Sequence, residues 1–300
     1  MTIKEIIKKS PLPSMEVEML LAFLLHSSRE FILTYENKEI EKNIRNKFLT
    51  LERKRLSNCP IAYLIKEKWF YGLKFEVNKD VLIPRPETEM IVTHLLKKIK
   101  ERNTKSMFID IGTGSGAIII SLAKTLKEEN NNLFKKSSFI GIDISKPAIA
   151  MAKKNAKLNS VQNKIKFLNN NLLSKINISS PSSSLFITAN LPYLTPTQIK
   201  KEQSISFEPK LALDGGRDGL KYYRHLFKEL KKLHFNYLNL ICEIDPKQVK
   251  AINNISKKYF PNIKLLILKD IRKKNRFAIL EIKKITPNCL CNPRLKSSKV

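Results

Sequence analysis

Apolar residues near the start of the chain recur at helical spacing. Met19, Leu20, Phe23 and Leu24 form one stripe, and Ile40, Ile44, Phe48 and Leu51 form a second at intervals of three and four. This predicts a small helical domain over residues 1–66. From Trp69 to Leu82 the period shortens, with Phe70 and Tyr71 before Gly72, then Phe75, Val77 and Val81 among polar residues. A hairpin within a linker over 67–88 is expected. Thereafter strands at 106–110, 138–142, 164–168, 185–189, 237–242, 263–268 and 276–282 alternate with helices at 116–127, 146–158, 218–232 and 246–258. That alternation predicts a twisted, mostly parallel sheet with helices on both faces over residues 89–285, an α/β fold. Two long breaks differ in kind. Residues 171–184 are rich in Ser and Asn and read as a surface loop, whereas 191–217 carry Pro, Glu, Gly and aromatic residues and read as a working loop.

Composition narrows the class. Apolar residues at 42% and charged residues at 28% exclude a disordered basic tail for the chain as a whole. The formal charge of +29 brings nucleic acid, ribosome and acidic surfaces into consideration as partners. The excess is carried by 45 Lys and only 11 Arg, however, and Lys lacks the planar fork that suits phosphates and bases. A biased background composition accounts for much of it. Cys59, Cys242, Cys289 and Cys291 have no second close pair or neighbouring histidine to complete a metal site, so a reduced, cytoplasmic chain is expected. The polar start and the short apolar runs predict neither a signal peptide nor a membrane span. His26, His94, His225 and His234 are scattered and read as ordinary core or surface residues. Residues 286–300 form a basic tail expected to be disordered.

The first candidate for chemistry is the run Phe108-Ile109-Asp110-Ile111-Gly112-Thr113-Gly114-Ser115-Gly116-Ala117, a glycine turn between an apolar strand and a helix. Glycine there permits tight turning and close backbone approach to a ligand at the carboxyl edge of a sheet. The Gly-x-Gly-x-Gly spacing departs from the dinucleotide fingerprint, and no Gly-Lys-Ser/Thr follows for a phosphate loop. Asp143 ends the next strand, where a carboxylate can accept both hydroxyl hydrogens of a ribose. The pattern suits a nucleoside bearing a positive methionine sulfonium, with Asp110 supplying an acidic environment. A plain glycine turn and a nicotinamide site are the competing readings.

The second candidate follows the fourth strand, where Leu185 to Ala189 runs into Asn190, Leu191, Pro192 and Tyr193 at the same edge. The Asn190 side-chain oxygen and the carbonyl of Leu191 are two acceptors that together can hold both hydrogens of a planar NH2 group. Pro192 confines Leu191 to an extended backbone, and Tyr193 offers a flat face to a planar acceptor. Catalysis would be alignment and electrostatic assistance as the nitrogen gains positive character. No general base is evident.

Two further blocks are more specific. One comprises Pro60, Ala62, Tyr63, Phe70, Gly72, Phe75 and Val77, followed by Val81-Leu82-Ile83-Pro84-Arg85-Pro86-Glu87-Thr88-Glu89. The other is the series Phe207-Glu208-Pro209, Leu211-Ala212-Leu213, Gly215-Gly216 and Asp218-Gly219-Leu220. With these the chain, from about residue 15 to 283, resembles the release factor glutamine methyltransferases. Members of that family methylate the glutamine amide in the Gly-Gly-Gln tripeptide of peptide chain release factors, using S-adenosyl-L-methionine. The resemblance implies a class I methyltransferase fold with a seven-stranded sheet. It implies that Gly112, Thr113, Gly114, Ser115 and Gly116 wrap the methionine part of the cofactor, that Asp143 holds the ribose, and that Asn171 and Leu172 hold the adenine. Asn190, Leu191, Pro192 and Tyr193 would grip the glutamine, with Asn190 also beside the cofactor. Arg85 and Glu87 would belong to the acceptor cleft, as would Glu89, and the amino-terminal helices would contact the release factor.

The chain departs from the family pattern at several positions. Leu191 replaces a proline, Asn171 replaces an aspartate, Asp245 in Glu243-Ile244-Asp245 replaces a glycine, and Lys66 replaces a glycine before the hairpin. None removes a group expected to contact the methyl acceptor. Asn-Leu-Pro-Tyr also resembles the acceptor loop of adenine-N6 methyltransferases acting on RNA or DNA, and the basic charge favours that alternative. A third reading is a ribosome-associated or RNA-binding protein whose methyltransferase fold is inert. The Ile83–Glu89 block and the Phe207–Leu220 series favour a protein glutamine.

Overall fold

The computed structural model describes residues 1–174, 176 and 184–283. The tail 286–300, with Cys289 and Cys291, lies outside the described residues, as does most of the Ser-rich loop before residue 184. The chain opens with five helices, α1 (Ile3–Lys9), α2 (Ser14–Leu24), α3 (Arg29–Thr34), α4 (Lys42–Leu56) and α5 (Ile61–Ile65). Their shared core is formed by Ile3, Val17, Leu20, Leu21, Ile32 and Phe48, all at most 2% exposed. A capping box starts α1, with the Thr2 hydroxyl accepting from the Glu5 N–H and the Glu5 carboxylate accepting from the Thr2 N–H. α5 ends at Lys66, which sits in the left-handed region at φ 59°.

The linker hairpin is β1 (Glu67–Phe70) and β2 (Leu73–Glu76), antiparallel and joined through Tyr71 and Gly72. Both turn residues have positive φ, 52° and 70°, as a two-residue hairpin turn of matching twist requires. A single turn of 3-10 helix, Pro86–Thr88, then leads into α6 (Glu89–Arg102). This helix is not among the predicted elements, although its buried residues Ile91, Val92, Leu95, Leu96 and Ile99 carry helical spacing.

The remaining elements are β3 (Ser106–Ile111), α7 (Ala117–Glu129), α8 (Asn131–Lys136), β4 (Ser138–Asp143), α9 (Lys146–Leu158), β5 (Ile165–Asn169), β6 (Ser184–Ala189), α10 (Pro196–Lys201), α11 (Lys221–Leu230), β7 (Tyr237–Glu243), α12 (Val249–Tyr259), β8 (Leu266–Lys269) and β9 (Asn275–Lys283). Seven strands form one sheet in the order β5-β4-β3-β6-β7-β9-β8. β9 runs antiparallel to both neighbours and all other pairs are parallel. Alternate strand residues face two cores. Phe108 stacks between Phe139 and Phe186 at 5.0 and 5.3 Å on the face covered by α6 and α7. On the other face Ile109, Ile187 and Leu240 pack with Tyr223, Leu226 and Phe227 of α11.

Register places the site. Ile111 of β3 pairs with Ala189 of β6, and Ala189 with Cys242 of β7. Gly112, Asn190 and Glu243 therefore sit side by side at the carboxyl edge, where the order of connection reverses at β3 and opens a crevice. The hairpin is fastened to this edge by α9. The Asn155 amide oxygen accepts the Glu76 N–H at 2.7 Å, while its NH2 donates to the carbonyls of Glu76 and Ser115, each at 2.9 Å. One buried side chain thus ties the linker to the glycine loop.

Candidate active site

A cleft opens at the carboxyl ends of β3, β4 and β6, walled by the glycine loop, the Asn190 corner and the linker from Asp80 to Thr88. Gly112, Gly114 and Gly116 have φ of 72°, 54° and 84°, so the backbone follows a path that side chains resist. The N–H groups of Gly112 and Thr113 donate to the Ile142 carbonyl at 2.8 and 2.9 Å, folding the loop back on β4. A Cβ at Gly112 would stand 3.2 Å from Leu191, and one at Gly116 would meet Ile120 and Ala152. The glycine loop and the Asn190 corner are therefore packed against each other.

Two carboxylates serve this half of the cleft differently. Asp143 is on the wall and accepts N–H groups from Gly114 and Ser145, each at 2.9 Å. Burial raises its carboxyl above the ordinary range, and those N–H bonds pull it back. Each oxygen keeps a further lone pair for a hydroxyl. Asp110 lies beneath the loop, 1% exposed, and accepts from the hydroxyls of Thr188 at 2.6 Å and Thr113 at 2.7 Å. Burial pushes its pKa up to about 6. Thr113 and Ser115 line the cleft, as do Asn170, Asn171 and Leu172. Asn171 is exposed and its carbonyl closes a turn with Ser174, while Leu172 is buried at φ 49°. The charged side chains on the wall are Asp80, Asp143 and Arg85. That set suits a vicinal diol, an adenine and a cationic amino acid, and opposes a diphosphate.

The Asn190 corner is supported from behind by residues far away in sequence. Thr88 donates its hydroxyl hydrogen to Glu243 at 2.7 Å, and Tyr193 donates to the other Glu243 oxygen at 3.1 Å. The Asn190 NH2 donates to the Thr88 oxygen at 3.4 Å. Burial raises the Glu243 carboxyl, and the two hydroxyls, with Arg276 nearby, lower it. Burial likewise drives the Tyr193 hydroxyl well above its ordinary range. Gln248 donates to the Tyr193 carbonyl at 2.8 Å and to that of Asp218 at 3.2 Å. A Cβ at Gly215 would collide with the Pro192 carbonyl, and one at Gly219 with that of Tyr193. The glycine-rich series after residue 213 is thus explained as close packing behind the corner.

Asn190, Leu191 and Pro192 reach the cleft wall. Tyr193 does not: its hydroxyl is turned to Glu243. Arg85 is on the wall and pairs with the fully buried Glu208, which also accepts the Ile83 N–H at 3.2 Å. Glu87 lies off the wall, 3.8 Å from Arg272. Glu89 also lies off it, accepting the Tyr71 N–H at 2.9 Å and so bracing the hairpin turn. No local motif in the sequence marks Gln248 or Asn155, and Thr88, although part of the Val81–Glu89 block, has a partner at Asn190 that the block does not reveal. Asp245, at φ −69°, needs no glycine and caps the turn Pro246–Gln248.

A parallel sheet with one reversed strand, a glycine loop and an acid at the end of the second strand define an S-adenosylmethionine-dependent methyltransferase of class I. Comparisons agree and go further. Residues 102–186 match the model of a methyltransferase domain, and residues 3–65 match that of the PrmC N-terminal domain. The chain is 33% identical over 284 residues to the release factor glutamine methyltransferase of Thermodesulfovibrio yellowstonii, covering 93% of this chain and 96% of the relative. It is 36% identical over 253 residues to the enzyme of the same name from Dictyoglomus turgidum, with 83% and 84% covered. Among solved structures, the hMettl16 catalytic domain in complex with MAT2A 3′UTR hairpin 1 shares the fold, with a TM-score of 0.55 at 15% identity over 87% of this chain and 90% of that one. The chain belongs to the release factor glutamine methyltransferase family.

Proposed function

We propose that this enzyme methylates the side-chain amide nitrogen of the glutamine in the Gly-Gly-Gln motif of peptide chain release factors. The observation that carries the reading is the Asn190 carboxamide on the cleft wall, whose NH2 is directed at Thr88, so that its oxygen is the end not engaged there and serves as the acceptor. S-adenosyl-L-methionine, when bound, supplies an electrophilic methyl group. Gly112 to Gly116 with Asp143, Asn171 and Leu172 would hold it, and Asp110 beneath the loop would supply an acidic environment. Asn190 and the Leu191 carbonyl accept the two amide hydrogens and orient the nitrogen. An amide nitrogen is a poor nucleophile because its lone pair is delocalised, so alignment and stabilisation of the positive charge it gains are the work required. The nitrogen then releases one hydrogen as a proton to water. Pro192 fixes the corner, Tyr193 braces it through Glu243, and Arg85 meets the peptide on the opposite wall, with Glu87 in the same turn.

In this reading residues 1–66 recognise the release factor, 67–88 link, and 89–285 catalyse, in the cytoplasm. The surplus of lysine supports proximity to ribosomal RNA during recognition. The test offers purified release factor and ribosomal RNA together to the enzyme with methyl-labelled cofactor. Label located on the tripeptide glutamine by mass spectrometry is expected. Label on adenine would transfer the same NH2 grip to a nucleic acid.

A further inference from the structure

We propose that Thr88 and Glu243 are positioning residues that set which way the Asn190 carboxamide faces. The inference rests on the acceptor role of Asn190 given above. A carboxamide has two nearly isosteric ends, and only one of them can accept from a substrate NH2; the reversed amide would meet donor with donor. A hydroxyl has a single hydrogen. That of Thr88 is committed to Glu243 at 2.7 Å, so the Thr88 oxygen presents lone pairs alone to residue 190. The end of Asn190 that it meets, at 3.4 Å, must be the NH2. Glu243 holds its orientation because its second oxygen is taken by Tyr193 at 3.1 Å and its side chain is buried. The sheet register that pairs Ala189 with Cys242 puts Glu243 beside Asn190, and the Pro86–Thr88 turn delivers Thr88 from the linker. The chain Glu243 to Thr88 to Asn190 thus converts a buried carboxylate into a direction at the cleft.

Three variants and one measurement on the unaltered protein test this. Thr88→Val keeps the shape and removes the hydroxyl, Thr88→Ser keeps the hydroxyl, and Asn190→Ala removes the acceptor. With release factor as substrate, Thr88→Val is expected to lower kcat on the order of ten- to hundredfold, the scale of losing a hydrogen bond to a buried charged group. The KM for cofactor should stay within about twofold, since these groups lie off the cofactor loop. Thr88→Ser should recover most of the loss. In the cofactor-free protein, the side-chain amide hydrogens of Asn190 should be protected from solvent exchange by NMR, and Thr88→Val should remove that protection. Unprotected hydrogens in the unaltered protein would overturn the proposal whether or not the variants fold. Wild-type kcat in Thr88→Val, beside an inactive Asn190→Ala, would overturn it alone. An active Asn190→Ala would overturn it together with the acceptor reading.

Discussion

The two halves of the cleft are built by opposite means. The half assigned to the cofactor is mostly local: one run of ten residues, from Phe108 to Ala117, supplies strand, turn and helix start, and its backbone N–H groups bond to the adjacent strand end at Ile142 and Asp143. Thr188 on Asp110 and Asn155 on Ser115 reach it from farther off. The acceptor half is assembled from afar. Asn190 and Tyr193 are held by Thr88, Glu243 and Gln248, and backbone packs closely behind them at Gly215 and Gly219. A binding loop made of backbone needs only the right glycines. A corner that must point a particular carboxamide needs a scaffold, because side-chain direction is fixed only by groups around it.

The sharpest way to break this division is to remove one functional group from each half. Asn190→Ala should lower kcat on the order of 10²- to 10³-fold, the range for deleting one group of a preorganised polar site. Cofactor affinity by calorimetry should change little. Asp143→Ala should do the reverse in binding, weakening cofactor by roughly ten- to hundredfold, because a charged acceptor and the anchor of the Gly114 and Ser145 N–H groups are lost together. If both variants lose cofactor equally, the contact between Gly112 and Leu191 has merged the halves into one unit.

A smaller effect separates the halves by pH. Asp110 has its pKa raised to about 6 from 3.8, so the folded state holds its proton more tightly than the unfolded chain. The stability this contributes is complete below the unfolded value and is lost as pH rises through about 6. Above that, keeping the buried carboxylate ionised costs on the order of 3 kcal/mol. Asp110→Asn should therefore stabilise the cofactor-free protein near pH 7.5, with the gain vanishing below about pH 4, as urea unfolding across that range would record. A difference independent of pH would sink the assignment.

The same contrast explains what was legible in the sequence. The central strands are apolar runs buried on both faces, and the expected positions of β3, β4 and β6 agree with the observed ones within a residue or so. Gly112 to Gly116 and Asn190 to Tyr193 were visible because each is a short run after such a strand. The bond from Gln248 was not, because its partner lies 55 residues away and nothing in its neighbours marks it, and Thr88 was visible only as a member of the Ile83–Glu89 block, its partner lying 102 residues away. α6 escaped notice although its periodicity was present, its second half being dominated by lysine. Tyr193 was expected to offer a ring to the acceptor, but β7 provides a carboxylate that turns its hydroxyl inward.

The smallest effect lies outside both halves and sharpens the comparison by leaving it untouched. Lys66 adopts φ 59° and ψ 23° where α5 passes into the hairpin, and its side chain is exposed. A side chain in the left-handed region costs about 1–2 kcal/mol. Glycine avoids that cost but loses roughly 0.5–1 kcal/mol more in chain entropy on folding. Lys66→Gly should thus stabilise the protein by about 0.5–1 kcal/mol, a rise of a few degrees at most in Tm by calorimetry. Its kcat and cofactor affinity should match those of the parent, because the hairpin is fixed to the site through Asn155 and Glu76 rather than through Lys66. A loss of stability would mean that the lysine side chain has a partner worth more than the backbone strain. A change in kcat would mean that this joint, and not only Thr88 and Glu243, sets the acceptor corner.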